Sequence, residues 1–394
     1  MSRIVHSFSR AATARGWVAA ALLLGSAAGA QAASLVLRDV VMTGLANPRG
    51  LAVGPDGSLY VAEAGSGGSG PSIISGNEEE VFLGQTGAIT RSRDGVQETV
   101  IAGLPSLAPV GGSGATGVHD LAFSADGTLH AVLGFGADPT LRDTLPEAAS
   151  LLGTAVSIEG GAATPLADLA AYERTQDPDA DELNSNPYGI VALAGGGFAI
   201  SDAGGNDILS VDPAGGIATL AVLAPAANTL PFGPPFYQAV PTGIAVSGDG
   251  AILVGELTGF PFPVGEADVL ALEGSVLSSI ASGFTNLIDV AVGADGVVYA
   301  LELDSDSLIG PDTTGSLFAV GPGGQRTPLY RDLSAPTALA VGPGGVIYVA
   351  ENGLSPVDGR VIALAPVPLP AALPLLAVAI AGLIGLRRTR EPRA

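Results

Sequence analysis

The sequence predicts an all-β protein: a six-bladed β-propeller with four antiparallel strands per blade, the N-terminal strand closing the last blade, followed by one C-terminal transmembrane helix. Three observations carry that expectation. One short stretch recurs six times in an ungapped register, each copy alternates as a hairpin does, and the last copy lacks a fourth strand that residues before the first copy can supply.

The first copy reads Pro48-Arg49-Gly50-Leu51-Ala52-Val53-Gly54-Pro55-Asp56-Gly57-Ser58-Leu59-Tyr60-Val61-Ala62-Glu63. With Arg49 as its lead residue, the equivalents are His119, Tyr188, Thr242, Ile288 and Thr337. Eight residues after each comes a glycine, from Gly57 to Gly345, and fourteen after each come Glu63, Leu133, Asp202, Glu256, Glu302 and Glu351. Within each copy alternating apolar residues, such as Leu51 and Val53 and then Leu59 and Val61, flank a glycine-rich turn, which makes a β-hairpin. Third strands are expected at 88–91, 154–158, 208–212, 269–272, 317–320 and 361–364. Fourth strands follow a second tight turn, as at 98–102, 218–223, 277–281 and 327–330.

Ser34 to Leu45 matches the fourth-strand segments elsewhere, while the last unit stops after three strands near Leu364. Pairing the N-terminal strand into the last blade leaves no open edge. Successive lead residues lie 70, 69, 54, 46 and 49 residues apart, so some units carry additions. In an antiparallel blade the first-to-second and third-to-fourth turns share one end, and these are all short. The long connections, 65–85, 134–150, 171–185, 225–240, 257–267 and 303–315, share the other end. Loops on a rigid scaffold carry binding, so the elaborated end is the expected functional face.

Gly 57 and Pro 29 in 394 residues suit many tight turns, and 47% hydrophobic content excludes disorder for most of the chain. Without cysteine there is no disulfide framework, thiol nucleophile or cysteine-ligated metal. Lysine is absent and seven of the sixteen arginines lie at the two ends, leaving nine arginines against thirty-seven acids between them. Such a domain repels nucleic acid and anionic membrane surfaces and suits divalent cations, cationic ligands or a saline setting; a solvated acidic surface kept soluble by charge is the alternative.

The ends read differently from the middle. Residues 1–33 hold three arginines, no acid, an apolar run from Gly16 to Ala30 and then Ala30-Gln31-Ala32, the pattern of a Sec-type signal peptide cleaved after Ala32 or Ala33. The propeller is expected over 34–365. In 366–394, Val367-Pro368-Leu369-Pro370-Ala371 opens an uncharged run to Leu386, followed by Arg387, Arg388 and Arg390. That run reads as a transmembrane helix over 371–386 with its basic tail on the cytoplasmic side.

Candidate site residues gather at the elaborated end. Arg49, His119, Tyr188 and Thr242 are expected near the axis as a ligand face. Glu63, Asp202, Glu256, Glu302 and Glu351 would form a carboxylate ring able to hold calcium, or each would cap its own loop by accepting backbone hydrogen bonds. Asp177-Pro178-Asp179-Ala180-Asp181 has the alternating acids of a calcium loop, but Glu182 stands where a glycine is expected and Tyr188 replaces the closing Glu. An EF-hand is therefore excluded, and a loose calcium loop through Asp177, Asp179 and Asp181 remains. Asn47, Asn186 and Asn286 sit two residues before a lead residue, as neutral oxygen donors at the channel mouth or as turn residues. With His6 in the signal and His130 in a strand, His119 alone cannot build a multi-histidine metal site. No nucleophile elbow, phosphate loop or zinc signature occurs. Phe232, Phe236 and Tyr237 offer an aromatic binding surface or a cover for blade edges.

Two resemblances rest on particular residues. The tail, VPLPA followed by a short helix and an arginine cluster, closely resembles the VPLPA-CTERM sorting signal, a variant of the PEP-CTERM class handled by exosortase-type membrane proteases in Gram-negative bacteria. Gly44-Leu45-Ala46-Asn47-Pro48-Arg49-Gly50-Leu51-Ala52, Tyr60-Val61-Ala62-Glu63-Ala64-Gly65, Asp168-Leu169-Ala170-Ala171-Tyr172-Glu173 and Ser185-Asn186-Pro187-Tyr188-Gly189 resemble the ScyD/ScyE family, and the likeness spans most of Leu35 to Leu364. That family implies an extracytoplasmic NHL-like propeller, named for cyanobacterial scytonemin clusters, without an established catalytic residue set to carry over. The sorting resemblance implies an envelope or exopolysaccharide setting. The expectation is thus an exported, surface-sorted binding or scaffold protein, anchored in the membrane through its tail until an exosortase-type protease processes it. Its expected partners are polysaccharide or envelope protein and not nucleic acid, and calcium is its one candidate cofactor. The alternative is a calcium-dependent hydrolase or lactonase-like enzyme of the six-bladed type, whose Glu, Asn and Asp ligands at the channel mouth do not line up with the six lead residues here.

Overall fold

A computed structural model describes residues 35–366. The signal peptide expected at 1–33, the motif Val367 to Ala371 and the helix expected at 371–386 lie outside the described residues. Among the described residues, no helix is long and apolar enough to cross a membrane.

Six antiparallel four-stranded sheets follow one another along the chain. Blade 1 runs from its first strand, Pro48–Val53, through Leu59–Glu63 and Glu80–Arg93 to Val96–Ala108. Blade 3 repeats the order with Pro187–Ala192, Phe198–Asp202, Asp207–Val211 and Ile217–Val222. Blades 2, 4 and 5 begin at Val118–Phe123, Pro241–Val246 and Leu287–Val292. First strands of neighbouring blades touch all the way round, the last against the first, so they line the axis.

The regular glycine has a conformational cause. The glycine eight residues after each lead residue takes φ between +75° and +94° in all six blades, from Gly345 to Gly250, a region closed to most side chains. The turn it closes joins the first two strands of each blade, with Asp56 Oδ1 accepting from the Ser58 amide (3.0 Å) in blade 1.

Closure occurs as expected. Leu35–Leu45 pairs antiparallel with Gly359–Pro366, with Leu37 opposite Leu364 and Thr43 opposite Arg360, and completes a sixth blade with Ala338–Val341 and Ile347–Glu351. Met42 and Leu45 are buried against Leu51, Leu59, Ala338 and Val361, which seals blade 6 onto blade 1 by burial of apolar surface. The remaining core consists of similar layers between adjacent sheets, such as Tyr60, Ile89, Leu121 and Val156 between blades 1 and 2.

Four of the long connections are not plain loops, and one of them holds two 3-10 turns, Pro139–Thr144 and Glu147–Ala149. Ser72–Ile74 pairs with the start of an extended third strand of blade 1. Ala226–Ala227 pairs with Phe236–Tyr237 in a small ribbon. Leu169–Gln176 is an α-helix, an element the all-β reading did not include. Its residues are mostly strong helix formers, and Asp168 caps it by accepting from the Ala171 amide (2.9 Å).

Candidate functional site

The acids that end the second strands hold the connections between blades. Glu63 accepts from the Ala46 amide (2.8 Å), Glu302 from Thr285 (2.9 Å) and Glu351 from Ser334 (3.1 Å), in each case the residue three before the lead residue. Asp202 accepts from the Asn186 (2.6 Å), Gly204 (3.0 Å) and Gly205 (3.1 Å) amides and the Ser185 hydroxyl (2.7 Å). Each of these four carboxylates caps its own loop. Glu256 differs: it is half-buried in a cavity of about 470 Å³ with Glu266 and Asp268, and burial, then Asp268, push its carboxyl up to about 7. Among the described residues the five acids do not come together as a three-ligand group, because the ring spaces them one per blade.

The lead residues stitch the ring. Arg49 Nη2 donates to the Ala115 carbonyl (2.9 Å) between blades 1 and 2, and His119 Nδ1 to the Pro187 carbonyl (3.0 Å) between blades 2 and 3. Ser201 Oγ donates to the Thr242 carbonyl, Thr242 Oγ1 to Leu287 (2.9 Å) and Thr337 Oγ1 to Pro48 (2.6 Å). Asp289 completes the circuit by accepting from the Leu339 amide (2.7 Å) between blades 5 and 6. A carbonyl only accepts, so His119 carries its proton on Nδ1. Burial, then Arg49, holds that imidazole neutral, its pKa lowered to about 3. His119 and Thr242, expected on a ligand face, are thus buried staples, whereas Tyr188 and Thr242 also border a cleft at the elaborated end of the channel.

That cleft, of about 370 Å³, lies where the excursions of blades 1 to 5 meet. Three of its polar atoms, Asn184 Oδ1, Asn186 Oδ1 and Thr258 Oγ1, are buried without a hydrogen-bond partner among the described residues, and a fourth, Tyr188 OH, is buried facing the Arg49 guanidinium. Asn47 and Asn286, the asparagines equivalent to Asn186 in the repeat, instead bond to backbone on both sides of their amides, so of the three only the Asn186 oxygen is left free. Phe260 and Phe262 wall the opposite side with centroids 6.1 Å apart, and Phe232 packs on Phe260 at its edge. Val240, Thr258 and Phe262 hold φ of +55°, +66° and +54°, left-handed conformations costly for branched and aromatic side chains that cluster at binding sites. Of Phe232, Phe236 and Tyr237, named from the sequence, only Phe232 touches this wall; Phe260 and Phe262 carried no repeat or spacing signal. A larger depression of about 570 Å³, by the excursions of blades 1 and 6, is lined by glycines, Ser66, Phe82 and Val110 and presents no charged side chain.

Beside the cleft, the acidic loop meets a second set of acids. Asp177 ends the helix in the left-handed conformation (φ 42°), its amide donating to the Glu173 carbonyl (2.9 Å), and this reversal folds the loop back over the helix. Ligand oxygens of Glu173, Asp177 and Asp179 all lie within 4.8 Å of one another. Asp181 is not part of this group: it is exposed, and its amide donates to Asp179 (3.2 Å). Of Asp177, Asp179 and Asp181, named from the sequence, the structure groups the first two with Glu173, one helical turn earlier, and leaves Asp181 outside the cluster. Asp207 lies directly across the sheet from Asp202 and is buried with neither oxygen partnered. Burial, then Asp202, Glu173 and Asp179, push its carboxyl up to about 10, while burial, then Asp202, raises Glu173 to about 8.

No family model matches the chain, and no curated protein matches it by sequence. Solved structures that resemble it include a virginiamycin B lyase from Staphylococcus aureus, at 15% identity and TM-score 0.44 over 85% of this chain and 89% of that one. A gluconolactonase from Xanthomonas campestris is 12% identical, TM-score 0.44, over 83% and 99%. A calcium-binding protein, regucalcin, from Agrobacterium tumefaciens is 12% identical, TM-score 0.47, over 84% and 95%. The propeller itself stands on the strand pairing described above.

Proposed function

We propose that the protein is an exported binding or scaffold protein of the cell envelope or exopolysaccharide matrix, and that the cleft at the channel mouth holds an uncharged polyhydroxyl ligand. The observation that carries this reading is the cleft lining: three buried neutral polar atoms without partners, the buried Tyr188 hydroxyl, two phenylalanine rings and one carboxylate, Glu182. Sugar hydroxyls both donate and accept, so they satisfy amide oxygens and hydroxyls that an apolar ligand would leave stranded. The rings offer apolar surface to the carbon faces of such a ligand, the usual composition of a small-molecule site. An anionic polymer is disfavoured by a domain in which acids outnumber arginines about fourfold. Hydrolysis of an ester or lactone needs a nucleophile or water with a base in reach. The lining supplies Glu182 alone, and His119 spends its Nδ1 proton on a blade staple. Export by the signal peptide, tail processing by an exosortase-type protease and kinship with ScyD/ScyE propellers complete the proposal.

A glycan array probed with the exported protein is expected to show neutral glycans bound. Phe260→Ala and Asn186→Ala should each weaken that binding at least tenfold while leaving the melting temperature within about 2 °C, since Phe260 is 50% exposed and Asn186 Oδ1 has no partner to lose. Absence of any glycan binding would refute the reading, and calcium-dependent turnover of a lactone would replace it with the hydrolase.

A further inference from the structure

The geometry points to a calcium-type cation site formed by Glu173, Asp177, Asp179 and Asp207, which fastens the helix Leu169–Gln176 and the loop after it to blade 3. Three of the four bring ligand oxygens within 4.8 Å of one another. Two members are buried and short of partners: Glu173 is 2% exposed with Oε1 unpartnered, and Asp207 is 1% exposed with both oxygens unpartnered. Asp177 Oδ1 is also buried without a partner. A buried carboxylate without hydrogen bonds is costly, and like charges directly across a sheet repel, so the Asp202–Asp207 pair adds to that cost.

What surrounds the group decides between a cation and a structural acid patch. Among the described residues no arginine is ion-paired to any of the four acids; Asn206 Nδ2 (3.0 Å) and the Asp181 amide (3.2 Å) donate to Asp179, and the Asn184 amide faces Glu173, all of them neutral donors. The Glu173 carboxylate lies against Gly205, where an added Cβ would come within 3.1 Å of Oε2, so backbone approaches as closely as a compact site requires. All ligand atoms are oxygen, with up to eight carboxylate oxygens on flexible and rigid elements together. That set suits calcium, which takes six to eight oxygens, over zinc, which prefers nitrogen and sulfur, or magnesium, which keeps several waters. Another acidic loop, Asp304 to Asp312, gathers no such three-ligand group among the described residues.

The functional consequence rests on the cleft reading above. The loop that the cation would fasten leads directly into Glu182, Asn184 and Asn186, which line the cleft. Cation binding itself does not depend on that reading. The chain stripped of divalent ions by a chelator is expected to take up one calcium ion in equilibrium dialysis, and its melting temperature is expected to rise by several degrees on calcium addition. Asp207→Asn and Glu173→Gln should each weaken uptake at least tenfold, and Asp179→Asn, on the outer loop, repeats the test should either buried variant fail to fold. Asp181→Asn and Asp304→Asn should leave uptake unchanged. Failure of the chelated chain to bind calcium overturns the site, as does uptake that Asp304→Asn removes and Asp207→Asn spares. Calcium uptake without glycan binding would keep the site and refute only the cleft's ligand.

Discussion

Blades 3 and 6 each carry an acid at the end of the second strand, Asp202 and Glu351, and face it with side chains of opposite kind, an acid in one and an arginine in the other. In blade 6, Glu351 lies across from Arg360, which reaches it with Nη2 at 2.7 Å and Nε at 2.9 Å. In blade 3, Asp202 lies across from Asp207, whose oxygens touch no donor. Glu351 and Asp202 perform the same repeat-encoded duty of holding the incoming loop. The residue opposite is free to vary, and in blade 3 it adds to an acid group no repeat requires. The repeat thus accounts for one acid in five of the six blades, blade 2 having Leu133 there, and Asp207 lies beyond it.

The comparison breaks most severely if the repeat-encoded acid is expendable. Asp202→Ala would leave the Asn186, Gly204 and Gly205 amides and the Ser185 hydroxyl without their acceptor. Each buried donor so stranded costs about 1–3 kcal/mol, so a loss of roughly 3 kcal/mol or more is expected even after water reaches some of them. Chemical denaturation should show this loss both with calcium and with chelator. A variant as stable as the parent would mean that the loop, and not the carboxylate, holds itself in place.

The fold was legible in the sequence because its determinants repeat. Six left-handed glycines and six hairpins cannot shift register without exposing apolar faces, and the missing fourth strand announced closure by the N terminus. Of the two readings of the second-strand acids, the hydrogen bonds of Glu63, Asp202, Glu302 and Glu351 show loop capping, whereas Glu256 opens into a cavity instead. The acid group of blade 3 was half legible. Asp177 and Asp179 stood out by alternation, but Glu173 joins them through a helix turn, and strand pairing sets Asp207 beside Asp202, neither of which alternation in sequence encodes. Phe260 and Phe262 were hidden for a similar reason: they sit in a non-repeating excursion, and only folding brings them opposite Asn186.

A second prediction extends the comparison to acids that are buried yet satisfied or half-open. Asp120 accepts from the Ile190 amide (2.9 Å), and burial raises its carboxyl to about 7; Glu256 is raised to about 7 by burial and by Asp268. Around Asp120 the other ionisable groups are Asp289, which it repels, and the Tyr188 phenol. A carboxyl with a raised folded-state pKa keeps its proton in the folded chain while the unfolded chain has lost it. Between about pH 4, near the ordinary value, and about pH 7, the folded state therefore binds more protons, and stability falls as pH rises. With divalent ions removed, so that protons do not compete with a bound cation, the melting temperature should be several degrees higher at pH 5 than at pH 7.5. A rise toward pH 7.5 would reverse the assigned direction.

The finest test makes blade 6 resemble blade 3. Arg360→Asp would place an acid opposite Glu351, as Asp207 lies opposite Asp202, without the helix and loop that bring Glu173, Asp177 and Asp179 alongside. The ion pair lost is partly exposed, Arg360 being 42% accessible in its side chain, so its contribution is about 1 kcal/mol or less. Repulsion across the strand adds a few tenths of a kcal/mol up to about 1. Glu351 keeps its bond from the Ser334 amide, so the loop stays held and the blade should not open. The expected result is a fall of a few degrees in melting temperature that calcium does not reverse, because two carboxylates do not supply the oxygens a calcium ion takes. If calcium restored the variant fully, an acid pair at a blade end would suffice for a cation, and the helix and loop of blade 3 would lose their assigned purpose.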